Sequence, residues 1–248
     1  MPRVLVLSYY FPPMGGVEVQ RVTRFVRHLP GRGWQPVVVS TRGGFHTSWD
    51  HARLRDLPSE LSVVRVRAPE HGPSVRRTER LAQGADVEQR FRDSRRLGDR
   101  LARRLEAFDR RYLCFPDEKN WWALAALLPA MRELRKCQAD VVLATGFPWS
   151  TLALGARLSR LTGVPLVVDM RDSWTTDPRG WWSSPRHRRL ERQVFEAADQ
   201  IVCATDTMRV QYEQLYLGLS FRTVHNACAD PDEDPRQSSV SRRDGSPV

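Results

Sequence analysis

Lysine is almost missing from this sequence. Of 39 basic residues only Lys119 and Lys136 are lysines, and the rest are arginine. A GC-rich genome produces the same bias, so the bias alone names no partner. Cysteine is scarce as well: Cys114, Cys137, Cys203 and Cys228 lie far apart and form no CxxC pair. That excludes a disulfide framework and argues against a cysteine metal site. No apolar run approaches the roughly 18 residues that span a bilayer. The opening Met1-Pro2-Arg3-Val4-Leu5-Val6-Leu7 is a short apolar run without a small-residue cleavage site. No signal peptide is expected, and the cytoplasm is the expected location.

What is present suits a globular chain. Hydrophobic residues make up 41% and charged residues 27% of 248, which excludes a mostly disordered or collagen-like protein. At about 150 residues per domain the length allows one large domain or two small ones. Acidic residues number 29, so the formal charge is +10. Such a balance suits phosphates, nucleic acid or anionic lipid and does not choose among them.

Hydrophobic period organises the chain. Arg3 to Ser8 reads as a buried parallel strand, followed by a loop, Tyr9-Tyr10-Phe11-Pro12-Pro13-Met14-Gly15-Gly16. From Val17 to Leu29 apolar residues recur at helical spacing, and Pro36 to Thr41 is a second strand. Further strands are expected at Leu61–Val66, Asp140–Thr145, Leu166–Asp169, Gln200–Ala204 and Phe221–His225. Helices are expected at Ala123–Leu134, Thr151–Leu161, Pro185–Ala198 and Thr207–Leu217. Strands alternating with helices predict an α/β fold, a Rossmann-like doubly wound parallel sheet. Arg76 to Arg111 holds twelve Arg and seven acidic residues, with Leu97, Leu101, Leu105 and Phe108 at helical spacing. It reads as a solvated helical hairpin, or as a surface resting on anionic lipid at the inner face of the membrane. Nucleic acid is not expected, since no recognised nucleic-acid module is present. Residues 230–248 are polar and acidic, with little to bury, and are expected to be a disordered tail after a single domain over 1–229.

Several motifs carry a resemblance. A strand followed by Phe11-Pro12-Pro13 and by Gly15-Gly16 opening a helix is one. Ala144-Thr145-Gly146-Phe147-Pro148-Trp149-Ser150-Thr151 and Val167-Val168-Asp169-Met170-Arg171-Asp172-Ser173-Trp174 are two more. Ala198-Asp199-Gln200-Ile201-Val202 and Val224-His225-Asn226-Ala227 complete the series. In this order they resemble the N-terminal, acceptor-side half of family 4-type glycosyltransferases with the GT-B fold. The likeness covers about residues 3 to 229. It implies transfer of a sugar, of the hexosyltransferase type, from a nucleotide-sugar to the hydroxyl of a sugar or lipid-linked acceptor. It implies retention of configuration and no metal or other cofactor. Relatives continue into a second domain that holds most of the donor site. That half is expected on a separate donor-binding polypeptide, or to be missing from this chain. The alternative is a non-catalytic binding or regulatory subunit, or a truncated remnant.

Site residues follow from placement at strand ends. Gly15 and Gly16 allow close backbone approach before a helix N-terminus, which suits a donor diphosphate; the other reading is a plain tight turn. Arg21 adds a cation there or is a solvated helix residue. Asp169, Arg171 and Asp172 close a buried strand at the end that faces the ligand crevice in open α/β sheets. Asp172 is the first candidate to orient the acceptor hydroxyl, and Arg171 the second, to offset phosphate charge. Many relatives have a histidine near Arg171, and this chain has none. The competing reading is a structural Asp–Arg pair. Thr145, Gly146, Ser150, Asp169 and Trp174 are acceptor-binding candidates, with helix capping the alternative for Ser150. Trp174, Trp181 and Trp182 offer rings for a sugar or for packing. His187 and His225 receive no role.

Overall fold

The computed structural model describes residues 1–43, 48–68 and 114–226. The Arg76–Arg111 stretch and the tail from 230 lie outside the described residues. Seven parallel strands form one sheet: β1 (Arg3–Leu7), β2 (Gln35–Thr41), β3 (Ser62–Val66), β4 (Val141–Gly146), β5 (Leu166–Met170), β6 (Gln200–Cys203) and β7 (Phe221–Thr223). Their order is β3-β2-β1-β4-β5-β6-β7. Runs such as Val-Leu-Val-Leu in β1 and Pro-Val-Val-Val in β2 are apolar on both sides, as a doubly covered parallel strand requires.

The helices are α1 (Gln20–His28), α2 (Asn120–Cys137), α3 (Trp149–Thr162), α4 (Pro185–Glu196) and α5 (Asp206–Leu215). Strand order runs one way from β1 to β3 and the other way from β4 to β7. Right-handed crossovers then put α1 on one face and α3, α4 and α5 on the other. Two apolar clusters record this. Val4, Val6 and Val38 meet Phe11, Val22 and Val26 on the α1 side. Leu5, Leu7, Val37, Val39, Val142 and Val168 meet the helices of the opposite face. Among the described residues the α1 face is only partly covered across β5 and β6, with Val167 and Val202 half-buried.

The expected strands and helices are all found within the described residues, with shifted ends. Val17–Val19 is a 3-10 turn, and the α-helix starts only at Gln20. The second helix runs past Ala123–Leu134 at both ends and carries Pro129 inside it. Its extra first turn is held by burial: Trp122 packs edge-on against Tyr9, ring centres 5.3 Å apart. The last strand ends at Thr223 rather than His225. A 3-10 turn at His51–Asp56 and an isolated bridge between Met14 and Trp49 lie in stretches where no regular element was expected.

Helix α3 lies close on the sheet because residue 155 is glycine. A Cβ there would stand 2.6 Å from Ala144 Cβ and 3.1 Å from Leu166 Cδ1. Gly155→Ala is therefore expected to cost about 1–3 kcal/mol by overpacking. At about 2–4 °C per kcal/mol in a chain of this size, a thermal melt followed by circular dichroism resolves the loss. Adding Ala144→Gly should restore part of it, and a double variant no better than the single would show that this contact is not the cause.

Candidate functional site

Strand order reverses between β1 and β4, and in open α/β sheets ligands bind at the carboxyl ends of the strands beside that switch point. A crevice of about 1220 Å³ opens there, among Glu18, Arg21, Asp169, Arg171, Asp172 and Asn226. It continues along α1 over the open sheet face, past Phe25, Leu143, Val167 and Val202.

At its centre Arg21 of α1 forms a buried pair with Asp169 of β5. Nε donates to Oδ1 and Oδ2 at 3.0 and 3.1 Å, and Nη2 donates to Oδ1 at 2.7 Å. Their side chains are 5% and 1% exposed. Thr145 Oγ1 of β4 donates to Asp169 Oδ2 at 2.9 Å, and Arg21 Nη1 donates to Asn226 Oδ1 at 3.0 Å. The network ties α1, β4, β5 and the segment after β7 together. Arg21 is thus neither a solvated helix residue nor an unpaired phosphate ligand, and Thr145 and Asp169 turn inward.

Arg171 is held differently. Its Nε donates to the Gly146 carbonyl at 2.7 Å, Nη1 to the Glu18 carbonyl and Nη2 to the Phe147 carbonyl. The guanidinium braces the turn after β4 against the turn before α1. Burial pulls its pKa below the ordinary arginine value, against the opposing charges of Asp169, Asp172 and Glu18. It stays protonated, as arginine does in proteins. Asp172, next in the chain, is exposed and lines the crevice. The expected Asp–Arg pair in this stretch is therefore not Arg171 with a neighbour: Asp169 is taken by Arg21, and Arg171 rests on carbonyls.

The two glycines are explained by geometry close at hand. Gly15 N–H donates to the Ser48 carbonyl at 2.9 Å, and a Cβ at Gly15 would lie 2.5 Å from Ser48 Oγ. Gly16 has φ +93°, which disfavours a side chain. The crevice begins just after them, at Val17 and Glu18. Gly146 contributes its carbonyl to Arg171 rather than an open surface.

Two further acceptor candidates also lie in the interior. Ser150 is buried, and its N–H and Oγ donate to Asp117 at 2.7 and 2.8 Å. Asp117 also accepts from Lys119 N–H at 2.8 Å, so one carboxylate caps the start of α3 and the turn into α2. Burial pushes that carboxyl up, opposed by the Ser150 and Lys119 hydrogen bonds. Trp174 is fully buried and stacked on Trp149, centres 4.9 Å apart and planes at 5°. Neither of its faces is open to a sugar. Phe147 lines the crevice, as do Phe25 and Trp34, and Trp182 lies 6.0 Å from Phe147. Glu18, Asn226 and Phe147 were not singled out from sequence. Among the described residues no group of three His, Cys, Asp or Glu side chains is arranged to hold a metal ion.

The loop carrying Asp172 is anchored by Glu191 of α4. This buried carboxylate accepts from Thr175 N–H at 3.0 Å, Thr175 Oγ1 at 2.5 Å, Tyr212 Oη at 3.1 Å and Tyr216 Oη at 2.6 Å. Burial and the adjacent Glu191 charge push both tyrosine hydroxyls above their ordinary value.

Removing one member of a buried pair strands the other charge. Asp169→Ala is expected to cost about 3–5 kcal/mol, while Arg21→Met with Asp169→Leu should cost less than that single change. Guanidinium unfolding midpoints measure both. Strictly additive losses would mean that the pair does not act as a unit.

Residues 15–226 match the glycosyl transferase 4-like domain family. No curated protein matches the chain. Among solved structures, apo UGT2 of Phytolacca americana aligns at 10% identity and a TM-score of 0.52, covering 94% of this chain and 53% of that one. The same protein complexed with UDP-2fluoro-glucose and pterostilbene aligns at 12% identity and a TM-score of 0.51, covering 94% and 56%. The chain thus spans about half the length of these structures, and at such identity they share a fold with it. The family match runs from the Gly15-Gly16 turn to Asn226 at the crevice, and this chain is a member of the glycosyl transferase 4-like domain family.

Proposed function

We propose that this domain is the acceptor-side half of a glycosyltransferase, with residues 1–229 forming one unit. It moves a sugar from a nucleotide-sugar to the hydroxyl of a sugar or lipid-linked acceptor, and a second, donor-binding half completes the site. The observation that carries the reading is the crevice at the switch point, with exposed Asp172 beside half-buried Arg171. Asp172 accepts a hydrogen bond from the acceptor hydroxyl and aims its oxygen at the anomeric carbon. Arg171, fixed on three carbonyls and unable to drift, supplies positive charge towards the leaving diphosphate. Phe147 walls the acceptor side. Among the described residues the face over β5 and β6 is only partly covered, which suits a second half packing there, since parallel sheets are covered on both faces. Retention of configuration, metal-independent transfer and a cytoplasmic location belong to the same reading.

A second reading has its own support. Arg21 and Arg171 are both committed to internal partners, as they would be in a binding or regulatory subunit that keeps the crevice and turns over nothing.

Calorimetric titration with UDP-, GDP- and dTDP-sugars, with and without a donor-binding polypeptide, separates the two. Binding and transfer in the completed assembly are expected. Asp172→Asn should then lower turnover by about 10²–10⁴-fold with an unchanged melting temperature, because Asp172 is exposed. Absence of binding and transfer in every combination leaves the non-catalytic reading.

A further inference from the structure

The crevice does not stop at the carboxyl ends of the strands. It runs on as a groove between α1 and the face of β4, β5 and β6, with Leu143, Val167 and Val202 half-buried on its floor. The α1 wall is basic. Arg24, His28 and Arg32 line it, and α1 holds no acidic residue. Arg24 is half-buried, and His28 and Arg32 are exposed. None of the three has a carboxylate partner among the described residues. Three acidic residues line the same groove, towards its other end. Asp169 is held by Arg21, Glu18 precedes α1, and Asp172 follows β5. On the far wall His225 already faces Asp206 at 3.3 Å. Asp140 and Asp199 accept from the Arg3 and Leu166 N–H groups at 2.7 and 2.8 Å and do not line the groove.

The chain itself leaves at this groove. Asn226 lines it and is fixed there by the 3.0 Å bond from Arg21. Four to eight residues further on come Asp230, Asp232, Glu233 and Asp234, with Pro231 among them and Pro235 after them. Proline fixes its own φ and biases the residue before it to extended backbone. At about 3.1 Å per residue the four acids reach roughly 12–25 Å from Asn226. Arg24 and His28 lie about 4 and 10 Å along α1 from Arg21, with Arg32 beyond them. All three cations are within that reach. Extended segments bearing proline dock in grooves lined by aromatic rings, and Phe25 and Trp34 line this one. Residues 76–111 match it poorly: with twelve Arg and seven acidic residues they would set like charge on the basic wall.

We propose that the α1 groove is the docking site of this chain's own acidic run, residues 230–234. The carboxylates pair with Arg24, His28 and Arg32, and the proline rings lie on the apolar floor. Each such pair is weak by itself near the surface. A short tether raises the effective concentration to about the millimolar range, so weak pairs suffice. Any other occupant of the groove has to displace the run. The docking stands without sugar transfer.

The test is the rate at which a glutamate-specific protease cuts the full chain after Glu233. Mass spectrometry reads it as release of residues 234–248, against a free peptide of residues 227–248. Cleavage tracks the undocked population, and the chain is expected to be cut about tenfold more slowly than the peptide. Arg24→Gln with His28→Gln and Arg32→Gln should bring the rate back to that of the peptide, with the thermal melt unchanged. Asp230→Asn with Asp232→Asn and Asp234→Asn should do the same, measured against a peptide of its own sequence. Arg132→Gln with Arg135→Gln on α2, both exposed, removes charge elsewhere and should leave the protection intact. A chain cut as fast as the peptide would overturn the proposal. So would protection that survives either set of substitutions, which would place another segment in the groove or the run elsewhere. Equal loss in the α2 control would reduce the effect to net charge. Protection that fades on dilution would assign the groove to the acidic run of a second copy and overturn the contact within one chain. No sugar donor or acceptor takes part, so failure here leaves the glycosyltransferase reading standing, and the reverse holds as well.

Discussion

The Arg21–Asp169 pair is the constraint on which the site is built. Asp169 sits on β5 and Arg21 on α1, and β2, β3 and β4 lie between these two elements along the chain. A buried charge is tolerated only when paired and hydrogen-bonded, and here every arm of the pair is used. Thr145 holds the second carboxylate oxygen, and Asn226 takes the remaining guanidinium nitrogen. Such pairs are weak evidence for net stability, because desolvation opposes the attraction. What this one does by geometry is join α1, β4, β5 and the segment beyond β7 at one end of the sheet.

Around that pin the two arginines of the crevice divide their work. Arg21 is neutralised by Asp169. Arg171 is solvated by carbonyl oxygens, so its charge is still unmatched at close range by a carboxylate bond. Carbonyl dipoles stabilise the cation beside exposed Asp172. The loop bearing Asp172 is in turn fixed from below by the Glu191 carboxylate and by the Trp149–Trp174 stack. Rigid support under exposed Asp172 is what its proposed role, orienting an acceptor hydroxyl, would demand.

The same reversal of strand order that opens the crevice also divides the helices unequally. Helices α2 to α5 seal one face of the sheet. On the other face, among the described residues, the apolar cluster draws on α1 alone. The crevice therefore extends as a groove over Val167 and Val202, and the site and the open face are one continuous feature.

Local chemistry in the sequence was sufficient for the elements. Apolar runs marked the parallel strands, period marked the helices, and motif order pointed to the family and to the strand ends where Asp169, Arg171 and Asp172 lie. It also placed Gly16 at a turn that needs positive φ. Partnership was not legible. Arg21 lies 148 residues from Asp169 and 205 from Asn226, and no local pattern encodes such a meeting. Asp117, just ahead of α2, reaches Ser150 only because α2 and α3 pack side by side. Trp174 reads equally as ring platform or core until the Trp149 face covers it. Sequence alone determined which segments become strands and helices, because backbone preference and apolar period act over a few residues. Tertiary structure alone decided which charges are buried, which are braced and which stay open to a ligand, because burial and pairing are set by segments far apart in the chain.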